Sequence, residues 1–225
     1  DNFYQRGINS VDDIRWASDF EKLFDAAEFN IPFYSILGNH DYRGNVQAQI
    51  DYSQDSRRWT MPSPYYALRK SLGPESQQTV LILMLDTEKL RADAAMQGEQ
   101  LRWIESDLAS ATDAFVILIG HHPVYSYGRH GGDPVLQKIF KKLGAAHKID
   151  LYINGHEHDF QMIKTEGETL FVSNGGFSKR TPAMCGPGSL FASNDTVALL
   201  VKVSSRHIYL QPVNIDGSLG NSYRL

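Results

Sequence analysis

Phe33-Tyr34-Ser35-Ile36-Leu37-Gly38-Asn39-His40-Asp41 is an apolar run that stops abruptly in four residues of different character. A buried strand ending this way puts polar groups at the carboxyl edge of a sheet, where open α/β folds build their sites. Asn39 offers an amide oxygen, His40 an imidazole and Asp41 a carboxylate. Such a cluster suits a metal or acid–base chemistry. Gly-Asn is also an ordinary turn dipeptide, so the motif acquires a function only if other segments need the same place.

Two other segments do. Phe115–Ile119 runs into Gly120-His121-His122-Pro123, and Ile149–Ile153 runs into Asn154-Gly155-His156-Glu157-His158. Of the 8 histidines in the chain, His40, His121, His122, His156 and His158 fall at the ends of apolar runs that a parallel sheet would bring to one edge. Convergence of ligand-type residues is the signature of a site. His156 and His158 project to the same side of an extended segment. They could serve one metal each in a paired site, or both serve one. Asp1 and Tyr4 are candidate oxygen donors, with Asn39 supplying a neutral oxygen. A set of imidazole, carboxylate and amide oxygen without thiolate suits Zn, Mn or Fe. A phenolate at Tyr4 would need a strong cation to stay ionised, for which Fe(III) is the natural candidate, but on the residues alone Tyr4 reads rather as a packed surface aromatic.

The remaining pattern gives the architecture. A helix is predicted over Ile14–Ala27 from Ile14, Ala17, Phe20, Phe24 and Ala27, behind the acidic pair Asp12-Asp13. A second short helix is expected from Asn45 to Tyr52. Tyr65–Leu68 and Thr79–Leu85 read as strands, and Gly98–Ser110 as a helix with Leu101, Ile104 and Leu108 on one face. Asp133 then Pro134 reads as an N-cap and first-turn proline of a helix that Gly144 would stop. Beyond His158 only strands are expected, at Phe160–Ile163, Thr169–Val172, Thr196–Val203 and His207–Val213, with turns at Glu166-Gly167 and Asp216-Gly217. Alternating strands and helices followed by strands alone predict an α/β fold of two packed sheets flanked by helices.

With 225 residues and 42% hydrophobic content, the chain has material for one sizeable core, and one domain over 1–225 is expected. A net charge of −4 without a basic run speaks against nucleic acid, and no apolar stretch is long enough for a membrane span. Cys185 is the one cysteine, which excludes an internal disulfide and a thiolate zinc site. Asn194-Asp195-Thr196 fits a glycosylation sequon.

Asp1-Asn2-Phe3-Tyr4, Gly38-Asn39-His40-Asp41, Gly120-His121-His122-Pro123-Val124-Tyr125-Ser126 and Gly155-His156-Glu157-His158 resemble, in order and spacing, the motifs of the calcineurin-like metallophosphoesterases. The match is nearest to purple acid phosphatases of the small, tartrate-resistant type. The resemblance implies a four-layer α/β/β/α sandwich of two mixed sheets flanked by helices. It implies a dinuclear site: Asp1 bridging, Tyr4 and His158 on Fe(III), and Asn39, His121 and His156 on a divalent Fe, Zn or Mn. It implies that hydroxide made at the metal pair attacks phosphate monoesters at acid pH. His40 would assist the leaving group, with His130 as a second substrate-facing histidine and Asp41 orienting His40. Free imidazole titrates at about pH 6.5, which also favours an acid optimum.

Tyr42-Arg43, Tyr125–His130 and Asn174–Phe177 would line the pocket. The expected partners are small phosphorylated substrates, including phosphoproteins or nucleotides, with a monomer as the expected state and an extracytoplasmic location by resemblance. The family's upstream Asp-x-Gly motif and the Gly before the bridging Asp are missing, so an N-terminal strand is expected to be absent from this chain; the animal-type disulfide cannot form with Cys185 alone, which counts against secretion. Glu88–Gly98 is shorter than the animal enzymes' exposed loop, which implies a more open site. The alternatives are a phosphodiesterase or nucleotide pyrophosphatase of the same superfamily, and a non-catalytic homologue that binds phosphate or metal.

Overall fold

In the computed structural model, which describes residues 1–176 and 179–225, the strands are β1 (Phe33–Tyr34), β2 (Trp59–Thr60), β3 (Tyr66–Ser71), β4 (Thr79–Met84), β5 (Phe115–Gly120), β6 (Leu151–Asn154), β7 (Phe160–Lys164), β8 (Leu170–Asn174), β9 (Ser189–Ser193), β10 (Val197–Val203), β11 (Ile208–Asn214) and β12 (Tyr223–Arg224). The α-helices are α1 (Val46–Asp55), α2 (Thr87–Ala92), α3 (Ala94–Ala109) and α4 (Pro134–Ala146). Each begins on a side chain that accepts from a free N–H of the first turn: Asn45, Asp86, Asp93 and Asp133.

A mixed seven-stranded sheet in the order β3-β4-β5-β6-β8-β7-β9 is the centre of the molecule. β4, β5, β6 and β8 run parallel, with Met84 opposite Ile119, Gly120 opposite Asn154 and Asn154 opposite Ser173. That register brings the carboxyl ends of the central strands to one edge, which places Gly120-His121 beside Asn154-Gly155-His156.

One face of this sheet buries Leu81, Leu83, Val116, Leu118 and Tyr152 against Ile104 and Leu108 of α3 and Leu136, Ile139, Phe140 and Leu143 of α4. The other face is covered in two parts. β10-β11-β12, an antiparallel sheet, packs Val197, Ile208 and Leu210 onto Ile117, Leu151, Met162 and Val172. The N-terminal third packs Phe3, Ile8, Trp16, Phe20, Trp59 and Met61 against Tyr66 and Met84.

Three expectations need correction. The helix predicted over Ile14–Ala27 is only a π-helical turn, Trp16–Glu21, because the buried residues are Trp16 and Phe20, while Ile14 is 81% exposed. The run Phe33–Leu37 pairs only at Phe33 and Tyr34, parallel to Trp59 and Thr60, and then leaves the ladder to reach the site. Gly144 does not stop α4, which continues to Ala146 and ends at His147. β9 and β12 lack an alternating pattern strong enough to predict them; both are edge strands, and Leu190 and Phe191 of β9 are exposed.

Candidate metal centre and substrate cleft

Each histidine motif emerges where its strand stops. β5 ends at Gly120, and β6 ends at Asn154, whose amide holds the following turn by donating to Gly155 O at 2.8 Å. His156 then takes a left-handed backbone conformation, φ 65°, which is costly for a residue with a Cβ and is the kind of strain concentrated at functional sites. The segment after β1 turns at Gly38, where a Cβ would run into the carboxylate of Asp1. Only glycine lets these two segments come so close.

Six side chains meet at this edge. Nε2 of His121 lies 3.2 Å from Asn39 Oδ1, 3.1 Å from His156 Nδ1 and 3.3 Å from Asp1 Oδ2. The Tyr4 hydroxyl lies 2.9 Å from the same Asp1 Oδ2 and 3.2 Å from His158 Nε2. Asp1 therefore belongs to both groups: with Asn39, His121 and His156 on one side, and with Tyr4 and His158 on the other. Ligands at about 2.1 Å from one ion stand about 3.0–3.4 Å apart. The spacing of this donor set fits a pair of metal ions sharing one carboxylate.

The electrostatics fit as well. Burial holds His121 well below the ordinary imidazole value, and burial with the neighbouring His121 pushes His156 down to about 3. His158 is lowered by burial too. His121 and His156 are thereby kept neutral, with lone pairs free for a metal. Tyr4 is raised, chiefly by burial, so its phenol stays protonated unless a cation is bound beside it.

His122 stands in the same cluster, with its ring 4.6 Å from that of His156. Its surroundings oppose a ligand role. Thr87 Oγ1 accepts from His121 N at 3.1 Å and His122 N at 3.0 Å. Its one proton is left for His122 Nδ1, 2.9 Å away. A neutral His122 then carries its hydrogen on Nε2, which lies 3.3 Å from Glu88 Oε2 without a hydrogen bond between them.

His40 is not among the donors. Its backbone N–H donates to Asp1 Oδ1 at 2.8 Å, and its ring Nδ1 donates to Gln5 O at 2.7 Å. Gln5 O, not Asp41, orients this ring. Asp41 is fully buried and accepts from Asn2 N, Phe3 N, Gly38 N and Gln49 Nε2. It cannot reach the His40 ring because its carboxylate is committed to docking the segment that carries Asp1 and Tyr4.

His40 and His130 face a cleft of about 630 Å³ that also exposes Asp1, Tyr4, His156 and His158, with Arg43, Arg129 and Lys179 on its wall. Of the segments expected to line it, Arg43, Arg129 and His130 do. Tyr125 packs into the helix-side core instead. Phe177 lies outside the described residues. Lys179, Thr181 and Gln5 of the cleft carry no motif and were invisible in the sequence.

The model of the calcineurin-like phosphoesterase family matches residues 1–160. The chain belongs to the calcineurin-like phosphoesterase family. It is similar to tartrate-resistant acid phosphatase type 5 of Rattus norvegicus, 38% identical over 199 residues, covering 82% of this chain and 61% of that protein. The same protein of Homo sapiens is 35% identical over 198 residues, covering 81% and 61%. Purple acid phosphatase 4 of Arabidopsis thaliana is 29% identical over 199 residues, covering 80% and 57%. The chain thus spans about three fifths of the length of the curated relatives it matches.

Among solved structures, GAP50, the anchor in the inner membrane complex of Plasmodium, superposes with a TM-score of 0.89 at 22% identity, covering 100% of this chain and 76% of that one. A purple acid phosphatase from yellow lupin (Lupinus luteus) seeds gives 0.57 at 18% identity, covering 86% and 38%. Both likenesses are of fold. No helix among the described residues is long and apolar enough to cross a membrane.

Proposed function

We propose that this chain carries the catalytic site of a metal-dependent acid phosphatase that hydrolyses phosphate monoesters. The observation that supports it most is the double donor set sharing Asp1, with His40 beside it but outside it. Asp1, Tyr4 and His158 would hold Fe(III), and Asp1, Asn39, His121 and His156 a divalent Fe, Zn or Mn. A bound pair supplies neutralisation of phosphate charge and a lowered pKa for water.

The residues do the rest. His40 gives Nδ1 to Gln5 O, so Nε2 is the edge left to pass a proton to the departing alkoxide or aryloxide. His130 stands across the cleft beside His156, their ring centroids 4.5 Å apart. A protonated imidazole donor favours an acid optimum. The names of the relatives give the reaction class, acid phosphatase; the substrates that fit the reading are small phosphorylated molecules, phosphoproteins or nucleotides.

The test is hydrolysis by protein loaded with iron and a divalent metal, comparing an aryl phosphate monoester with a bis-aryl diester. The monoester should be preferred. Diester preference moves the reading to a phosphodiesterase. No hydrolysis of either moves it to a non-catalytic homologue, in line with the anchor role in the name of the Plasmodium neighbour. Tyr4→Phe should remove the visible charge-transfer band of the iron-loaded protein; an unaltered spectrum would sink the phenolate assignment.

A further inference from the structure

We infer that Glu157, set between the two histidines of Gly155-His156-Glu157-His158, is the residue that positions His130 in the cleft. Glu157 is fully buried, and its carboxylate bonds to the loop over 126–131. Oε1 accepts from Ser126 Oγ at 3.2 Å, His130 N at 2.6 Å and Gly131 N at 2.9 Å. Those three bonds saturate that oxygen. Oε2 is left facing His130 Nδ1 at 3.3 Å.

Gly128 makes the approach possible, since a Cβ there would stand 2.7 Å from Glu157 Oε2 and 2.5 Å from Asp159 Oδ2. The other face of the His130 ring leans on His156 at a centroid distance of 4.5 Å. A carboxylate at Nδ1 keeps the hydrogen of the neutral ring on that nitrogen and turns Nε2 to the cleft. An imidazole oriented through its far nitrogen is a recurring device at reactive centres. Glu157 thus couples the metal-bearing turn to the substrate-facing loop in one side chain.

This assignment rests on the phosphatase reading for its kinetic consequence, but not for its structural one. Glu157→Gln keeps an acceptor for the three loop donors and removes the charge at His130. In the metal-loaded enzyme, kcat for an aryl phosphate monoester should fall about tenfold with KM within about twofold. The double variant with His130→Ala should be no slower than His130→Ala alone. A loss that multiplies in the double variant, or an unchanged kcat, overturns the assignment. Nitrogen-15 shifts of neutral His130 supply the second arm, with Nδ1–H expected in the parent protein and a shift toward Nε2–H in Glu157→Gln. A parent protein dominated by Nε2–H overturns the inference even if the variant does not fold. If the loaded protein hydrolyses no phosphate ester, the phosphatase reading fails and the shifts still decide the role of Glu157.

Discussion

Nε2 of His121 and Nδ1 of His156 face each other at 3.1 Å in a buried site where both rings are held neutral. The same His121 nitrogen also meets Asn39 Oδ1 and Asp1 Oδ2. One hydrogen cannot satisfy all of these atoms, and a cation among them can. Metal should therefore stabilise the fold. At a free concentration a hundred times the dissociation constant, a divalent ion adds about 2.7 kcal/mol. Thermal melts with a chelator and with added Zn²⁺ or Mn²⁺ should differ accordingly, and His121→Ala should lose most of the difference. A melt indifferent to metal in the parent protein would refute a metal role for this edge.

His40 touches the Asp1 carboxylate only through its backbone N–H, and its ring is tied to Gln5 O. His40→Ala should leave both donor groups in place. We expect kcat to fall about 10²- to 10⁴-fold, the range of a lost general acid, with metal content by elemental analysis unchanged. Loss of an equivalent of metal would make His40 a ligand and end its assignment as proton donor.

The part of the molecule legible in its sequence is the part governed by short-range pattern. Apolar runs ending in Gly120-His121 and Asn154-Gly155-His156 are β5 and β6, and their parallel register is what gathers the histidines. Asp133-Pro134 reads as a helix start because capping is local chemistry. The failures are tertiary. Trp16, not Ile14, faces inward because it stacks on Tyr52 at 3.6 Å and meets Phe3 and Trp59, partners distant in sequence. The histidine motifs show which residues could bind metal but not which carboxylates hold their loops. Adjacency suggested Asp41 for His40, whereas the carboxylates at work are reached by chain reversal: Asp41 on residues 2 and 3, and Glu157 on His130.

Asp41 gives the third prediction. Oδ1 accepts from Asn2 N, Phe3 N and Gln49 Nε2, and Oδ2 from Asn2 N and Gly38 N at 2.9 Å. Asp41→Asn puts an NH₂ against backbone N–H groups on one side. It should cost about 1–3 kcal/mol, the penalty of buried polar groups left unpaired. It should also weaken metal binding, because the displaced segment carries Asp1 and Tyr4. Urea midpoints and metal titrations check both. A variant with parental midpoint and metal affinity would show that Asp41 does not dock this segment.

Asp159 makes stability depend on pH in a direction opposite to an ion-paired carboxylate. It is fully buried, and burial, reinforced by the charge of Glu157, raises it to about 6 despite the bond from Gln161 Nε2 at 2.9 Å. Unfolded, it titrates at about 3.9. Between these values the folded chain binds the extra proton, so the stability linked to this group is fully present below about pH 4 and is lost as pH rises through 6. Asp159→Asn removes the charge that is costly to bury. In chelated protein it should flatten the decline in unfolding free energy between pH 4 and 6. It should also be more stable than the parent at pH 7 by about 1–2 kcal/mol. Urea denaturation at pH 4, 5, 6 and 7 reads both quantities. A variant less stable than its parent at pH 7, with the parental slope retained, would mean that the Asp159 charge is stabilised where it lies.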